Sequence, residues 1–223
     1  FYTVRKATQG LANYILSRKE EERDVAIAFD SRRMSPEFAK EAALCLNANG
    51  IKTWCFETLR PTPELSFAVR KLGCIAGIVI TASHNPPEYN GYKVYWEDGG
   101  QITPPKDAGI IREVNLITDY GAAKTMTLEE AQAAGLYRTI GAEIDDAYIE
   151  ELKKLVLHPD IIKEEAGNLK IVYTPLHGAG NLPVRRILKE LGFTQVYVVP
   201  EQEQPDGEFP TVSYPNPEDA KAF

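Results

Sequence analysis

Ile75-Ala76-Gly77-Ile78-Val79-Ile80-Thr81 is an apolar run of strand length that delivers the chain straight into Ala82-Ser83-His84-Asn85-Pro86. A short apolar run bounded by turn formers reads as a buried strand. A serine just past the C-terminal end of such a strand stands where ligands bind in open α/β sheets. Whether the fold is of that kind depends on what flanks the run.

Upstream, Val25-Ala26-Ile27-Ala28-Phe29 is a second apolar run, ending at Asp30. Ser35-Pro36 then opens a helix as N-cap and first helical residue, and Asn49-Gly50 closes it. Ile51 to Glu57 is another strand; Thr62-Pro63-Glu64 starts a helix that runs to about Leu72 and stops at Gly73. Before all of these, Val4, Ala7, Leu11, Tyr14 and Ile15 follow a 3.6-residue period from almost the first residue. Strands joined through helices read as parallel crossovers in an α/β layer fold.

Downstream, Tyr92-Lys93-Val94-Tyr95-Trp96 alternates, and Glu97-Asp98-Gly99-Gly100 turns it toward Gln101-Ile102 as a hairpin on the same sheet. Pro104-Pro105 and the spacing of Ile110, Ile111, Val114 and Ile117 give a helix. Asp119 to Ile140 is poorer in core signals; with its capping box Thr127-Leu128-Glu129-Glu130 it reads as a crossover out of a first domain. A second alternation follows. Asp145 to Leu157 is helical, Lys170 to Thr174 is a strand, His177-Gly178-Ala179-Gly180 is a turn, a helix runs to Leu191, and Phe193 to Val199 is a strand. The expected fold is therefore α/β: tandem similar units, each a mixed sheet packed with helices, with domains over residues 1–140 and 141–223. The chain starts within a helical pattern and stops at Pro217-Glu218-Asp219-Ala220, which reads as a first helical turn, so it is expected to be a portion of something longer.

Composition limits the function classes. At 223 residues, with 43% hydrophobic and 26% charged residues, the chain has the make-up of a globular protein. A net charge of -7 argues against a surface for nucleic acid or anionic membrane, although the 25 basic residues leave room for a local anion site. Cys45, Cys55 and Cys74 have no CxxC spacing and read as buried packing residues in a reducing compartment. With no long apolar run and no signal-peptide pattern, the cytoplasm is the expected location.

The loop after the third strand has the chemistry of a phosphate site. Pro86-Pro87 stiffens one side and Asn90-Gly91 turns the other, while His84, Asn85, Asn90 and Lys93 supply donors suited to phosphate oxygens. By composition alone an ordinary surface turn is the better reading, since Ser, Asn, Pro and Gly are turn formers anyway. His84 is not expected to act as a protease-type base for Ser83, because neighbouring side chains on an extended backbone point apart. His158 near a helix C-terminus reads as a dipole partner. His177 reads as a backbone-organising residue of its turn.

The order of residues, rather than their composition, then decides. Thr81-Ala82-Ser83-His84-Asn85-Pro86-Pro87-Glu88-Tyr89-Asn90-Gly91-Tyr92-Lys93 resembles the active-site signature of the α-D-phosphohexomutase superfamily. Val94-Tyr95-Trp96-Glu97-Asp98-Gly99-Gly100-Gln101 resembles its phosphoglucomutase and phosphopentomutase branch. Tyr2 to Thr8, Ala28-Phe29-Asp30-Ser31-Arg32 and Tyr173 to Gly180 extend the resemblance along the chain. It implies a phosphoserine enzyme that interconverts glucose 1-phosphate and glucose 6-phosphate through glucose 1,6-bisphosphate. It implies Ser83 as the phosphoryl carrier, and His84 and Lys93 as groups that move protons or neutralise charge. Arg32, Asn85 and Asn90 fall in the same motifs as phosphate-binding candidates, with an ion pair to Asp30 as the other reading of Arg32. The family's Mg²⁺ is held by an Asp-x-Asp-x-Asp-Arg loop and an oxygen of the phosphoserine.

That metal loop does not occur in the 223 residues, and Pro205-Asp206-Gly207 lacks its second and third aspartates. Ser83, through its phosphate, is the one expected metal contact, and the sugar-recognition loop is missing too. The chain by itself is expected to have negligible mutase activity; turnover of glucose 1-phosphate near an ordinary enzyme rate would contradict this. The expected partner is a small sugar phosphate. Ribose, deoxyribose and mannose phosphates are alternatives to glucose, and a phosphosugar-binding module is the non-enzymatic one.

Overall fold

The computed structural model describes residues 1–18, 23–213 and 215–222. It divides the chain into a first unit of Phe1–Asp30, Met34–Thr81 and Gly91–Ile140, and a second of Ser31–Arg33, Ala82–Asn90 and Gly141–Phe223.

In the first unit, α1 (Tyr2–Ser17), β1 (Val25–Phe29), α2 (Ser35–Ala48), β2 (Thr53–Phe56), α3 (Thr62–Leu72), β3 (Ala76–Ile80), β4 (Tyr92–Trp96), α4 (Lys106–Leu116), α5 (Leu128–Ala133) and β5 (Tyr137–Ile140) follow in order. The sheet order is β4-β3-β1-β2-β5. All neighbours are parallel except β3 and β4, which run antiparallel at one edge. Central β1 and β3 are apolar throughout because both faces are covered, as parallel strands flanked by helices require. Leu11 and Ile15 of α1, Leu46 of α2, Ile27, Ile78 and Ile80 of the sheet, and Trp96 of β4 meet in one buried core.

Three local expectations shift in this unit. Ser35 is the first helical residue of α2 rather than its cap: Met34 precedes it at φ 62°, and the Ser35 hydroxyl donates to Asp30 Oδ1 (2.8 Å). Gln101 makes only an isolated bridge with Tyr95, so no second hairpin strand forms. The stretch read as a crossover contains a strand, β5, added parallel to β2 at the sheet edge. Arg138 and Thr139 of β5 are exposed and only Ile140 is buried, so the apolar signal of a central strand is absent. The capping box at Thr127 and Glu130 is present in full.

The second unit holds α6 (Ala142–Lys153), α7 (Pro159–Glu165), β6 (Lys170–Tyr173), α8 (Asn181–Glu190), β7 (Gln195–Val198) and α9 (Pro200–Glu203). β6 and β7 pair in parallel, Lys170 opposite Gln195 and Tyr173 opposite Val198. A mixed sheet describes the first unit; the described strands of the second are parallel. Arg186 of α8 reaches Asp146 of α6 (2.6 Å), and Lys153 reaches Glu190 (3.0 Å). The helix expected to run to Leu157 ends at Lys153, and a separate helix begins at Pro159. His158 is thus the residue before a helix N-terminus, which removes the dipole reading offered for it. Among the described residues, no helix is long and apolar enough to cross a membrane.

Candidate active site

β1 and β3 pair in parallel with Phe29 opposite Ile80, so the chain leaves both strands in the same direction. The segments that follow, residues 31–33 and 82–90, come together in the second unit. Within the 82–90 loop, the Asn85 N–H donates to Ala82 O (3.1 Å) and the Tyr89 N–H to Pro86 O (3.1 Å). These turns lift Ser83, His84 and Asn85 into solvent. Ser83 itself sits at φ 58°. A non-glycine residue in the left-handed region costs about 1–2 kcal/mol. Such costs persist only where the surroundings over-determine the conformation, which happens often at reactive positions.

Arg32 supplies those surroundings. It is only 2% exposed, and its guanidinium is spent on the loop's main chain. Nη1 donates to Pro86 O (2.8 Å) and Tyr89 O (3.0 Å), and Nη2 to Ser83 O (2.9 Å) and Asn85 O (2.5 Å). A buried guanidinium is costly without partners of matching geometry. Four carbonyls converging on its fork meet that requirement and fix the loop around Ser83. This use of Arg32, as a clamp on backbone carbonyls, differs from the phosphate contact expected of it. Asn90 is likewise engaged with the main chain: its Nδ2 donates to Arg33 O (3.0 Å).

The clamp is backed by the segment 204–211, which sequence reasoning did not connect to the site. The Phe209 ring lies 5.2 Å from the Arg32 guanidinium carbon, within cation–π range. Gly207 packs against the backbone of residues 31–33, and a Cβ there would meet Arg33 N and Ser31 O at 2.8 Å. Arg33 pairs with Glu208, whose carboxyl this contact holds below its usual range. His177, 3% exposed, anchors the same segment: its ring bonds Gln204 O through Nδ1 (3.0 Å) and Thr211 Oγ1 through Nε2 (2.9 Å). The organising place expected of His177 is the one it has. The only sequence signal for Phe209 was an aromatic residue beside the turn Pro205-Asp206-Gly207, too common a pattern to single out.

His84 departs from its expected geometry. The backbone at Ser83 is not extended, and Ser83 Oγ lies 3.4 Å from His84 Nδ1. That is longer than the 2.6–3.2 Å (approximate) reach of a working general base. No carboxylate among the described residues orients the ring. Asn85 is exposed beside it. Lys93 belongs to the first unit, on β4 opposite Val79, so the structure groups Ser83, His84, Asn85, Asn90 and Arg32 together and Lys93 with the other unit. The cysteines are free and buried; burial pushes the Cys45 thiol up to about 12 and the Cys55 thiol to about 11, so neither competes with Ser83 as nucleophile. Among the described residues, no three His, Cys, Asp or Glu side chains are placed to hold a metal ion. A single serine phosphate is a poor substitute for the carboxylate set that Mg²⁺ demands, so the residues present do not make a Mg²⁺ site.

Residues 1–121 match the family model described as phosphoglucomutase/phosphomannomutase, alpha/beta/alpha domain I, and residues 146–223 match that of alpha/beta/alpha domain II. Over 222 residues the chain is 39% identical to a phosphoglucomutase of Staphylococcus saprophyticus, covering 100% of this chain and 39% of the relative. Over 228 residues it is 37% identical to a phosphopentomutase of Pongo abelii, covering 98% of this chain and 37% of the relative. A crystal structure of a putative phosphomannomutase from Thermus thermophilus superimposes with a TM-score of 0.78 at 27% identity, over 94% of this chain and 44% of that one. The chain thus spans about two fifths of the length of the curated relatives it matches.

Proposed function

The chain belongs to the phosphoglucomutase/phosphomannomutase family, and from that premise we propose that it carries the phosphoryl-transfer centre of a phosphosugar mutase, with Ser83 as the carrier. Phosphoserine 83 gives its phosphoryl group to a free hydroxyl of a sugar monophosphate: the Ser Oγ–P bond breaks as the sugar O–P bond forms, and the hydroxyl proton leaves. The resulting bisphosphate returns its other phosphoryl group to Ser83 Oγ, and the net change is migration of phosphate along the sugar. The observation that carries this reading is Ser83 itself, solvent-facing at φ 58° on a loop whose carbonyls are gripped by a buried arginine. Phosphoryl transfer depends on in-line positioning and charge stabilisation more than on covalent chemistry by the protein, and a rigid loop with an exposed oxygen meets the first need.

His84 and Lys93 are the groups proposed to move the proton or balance charge, with Asn85 exposed toward incoming phosphate. Arg32 and Asn90 are proposed to position the loop. Glucose 1-phosphate is the proposed substrate and glucose 1,6-bisphosphate the intermediate, which the phosphoglucomutase relatives favour. The phosphopentomutase and phosphomannomutase relatives favour pentose or mannose phosphate as the second reading. Residues 1–140 and 141–223 are proposed as the first domain and part of a second. A cytoplasmic setting and Mg²⁺ in the complete enzyme are proposed from the family resemblance alone. The test is Ser83→Ala in the full-length protein, which is expected to lower mutase turnover at least about 10³-fold. Wild-type turnover by that variant would overturn the assignment of Ser83.

A further inference from the structure

The guanidinium of Arg32 donates to four loop carbonyls through its two Nη atoms. Because those bonds tie the loop to the guanidinium, any shift of the guanidinium would carry the Ser83 carbonyl with it. The Phe209 ring backs the guanidinium, whose carbon lies 5.2 Å from the ring centroid. Its place is over-determined: it is 6% exposed, and its φ of 49° is one a bulky residue adopts only when held there. The Phe209 N–H donates to Asp206 O (3.3 Å), and the Asp206 N–H to His177 O (3.2 Å). The His177 ring meets Phe209 edge-on at 6.4 Å. Gly207 lets the turn approach the backbone of residues 31–33 closely enough to set the ring against the guanidinium.

We infer that Phe209 is a positioning residue for phosphoryl transfer at Ser83: its ring braces the guanidinium of Arg32, and Arg32 in turn fixes the serine loop. The inference rests on the reading of Ser83 as carrier. It concerns kcat rather than substrate affinity, because Phe209 lies against Arg32 and acts on the loop through it. Displacing a reacting group by about 1 Å can cost about 10²-fold; a loosened guanidinium still held by four hydrogen bonds is expected to cost about tenfold.

The test uses full-length protein with glucose 1-phosphate as substrate. Phe209→Leu keeps apolar bulk without a ring face, and Phe209→Tyr restores the face. Phe209→Leu is expected to lower kcat about tenfold with KM within about twofold of wild type, with a cooperative thermal melt retained and most of the rate recovered in Phe209→Tyr. If Phe209→Leu loses its melt, Phe209→Met is judged by the same criterion. An unchanged kcat in a folded variant, a loss lying wholly in KM, or no recovery in a folded Phe209→Tyr would overturn the inference. Ser83→Ala separates the two levels. If it turns over substrate, the carrier reading falls and this inference with it. If it is silent while Phe209→Leu runs at the wild-type rate, only the role of Phe209 falls.

Discussion

A phosphoryl carrier must hold one oxygen still in front of an incoming hydroxyl, and the residues around Ser83 divide that task. Ser83 supplies the oxygen at φ 58°, and Arg32 holds the carbonyls of Ser83 and Asn85. Lysine in place of Arg32 would keep the charge but present a point rather than a fork, and it could not span four carbonyls. Arg32→Lys in the full-length protein is therefore expected to cut kcat by about tenfold or more, measured by steady-state kinetics; unchanged kcat would show that charge alone suffices. Ser83 was legible in the sequence because strand, serine and turn formers come in an order with chemical meaning. The partners of Arg32 were not legible, because carbonyls belong to every residue and leave no mark on the side-chain pattern. Phe209 stayed hidden for a related reason: its partner is remote in sequence, and no periodicity links them.

Helices announce themselves by period and caps, and α2, α3 and α4 lie within a few residues of where the pattern puts them. Central strands are equally plain, since burial on both faces makes them apolar throughout. Edge elements are not: β5 has two consecutive exposed polar residues among only four positions and pairs on one side. The end of α6 was read too late because Leu155 and Val156 continue its apolar spacing, and α7, which starts at Pro159, was not expected. Contacts between elements also set limits on substitution. Gly10 on α1 faces α4, where a Cβ would meet the Val114 backbone N and Cα at 2.7 Å. Alanine would gain up to about 1 kcal/mol of helix propensity, but overpacking against backbone costs about 1–3 kcal/mol and backbone cannot rotate aside. Gly10→Ala is expected to be destabilised on balance, read as a lower urea midpoint at unchanged slope; a stabilised variant would contradict the close packing of the two helices.

At the scale of the whole molecule, the two units contribute differently. The first has a five-stranded sheet and one continuous core. The second has two described strands, with Val172 77% and Tyr197 55% exposed, and gathers the serine loop, Arg32 and Phe209. Fold and family follow from patterns spread over the chain. The choice among sugars does not, since the phosphate chemistry proposed for Ser83 is the same for each of them. The central claim, that Ser83 carries the phosphoryl group, is tested most directly by mass. Full-length protein is treated with glucose 1,6-bisphosphate, digested, and the peptide containing Ser83 is weighed before and after sugar monophosphate is added. The expected result is the mass of one phosphoryl group, fragmented to Ser83 and discharged by the monophosphate. A protein that turns over sugar phosphate while Ser83 stays unmodified throughout would contradict the account.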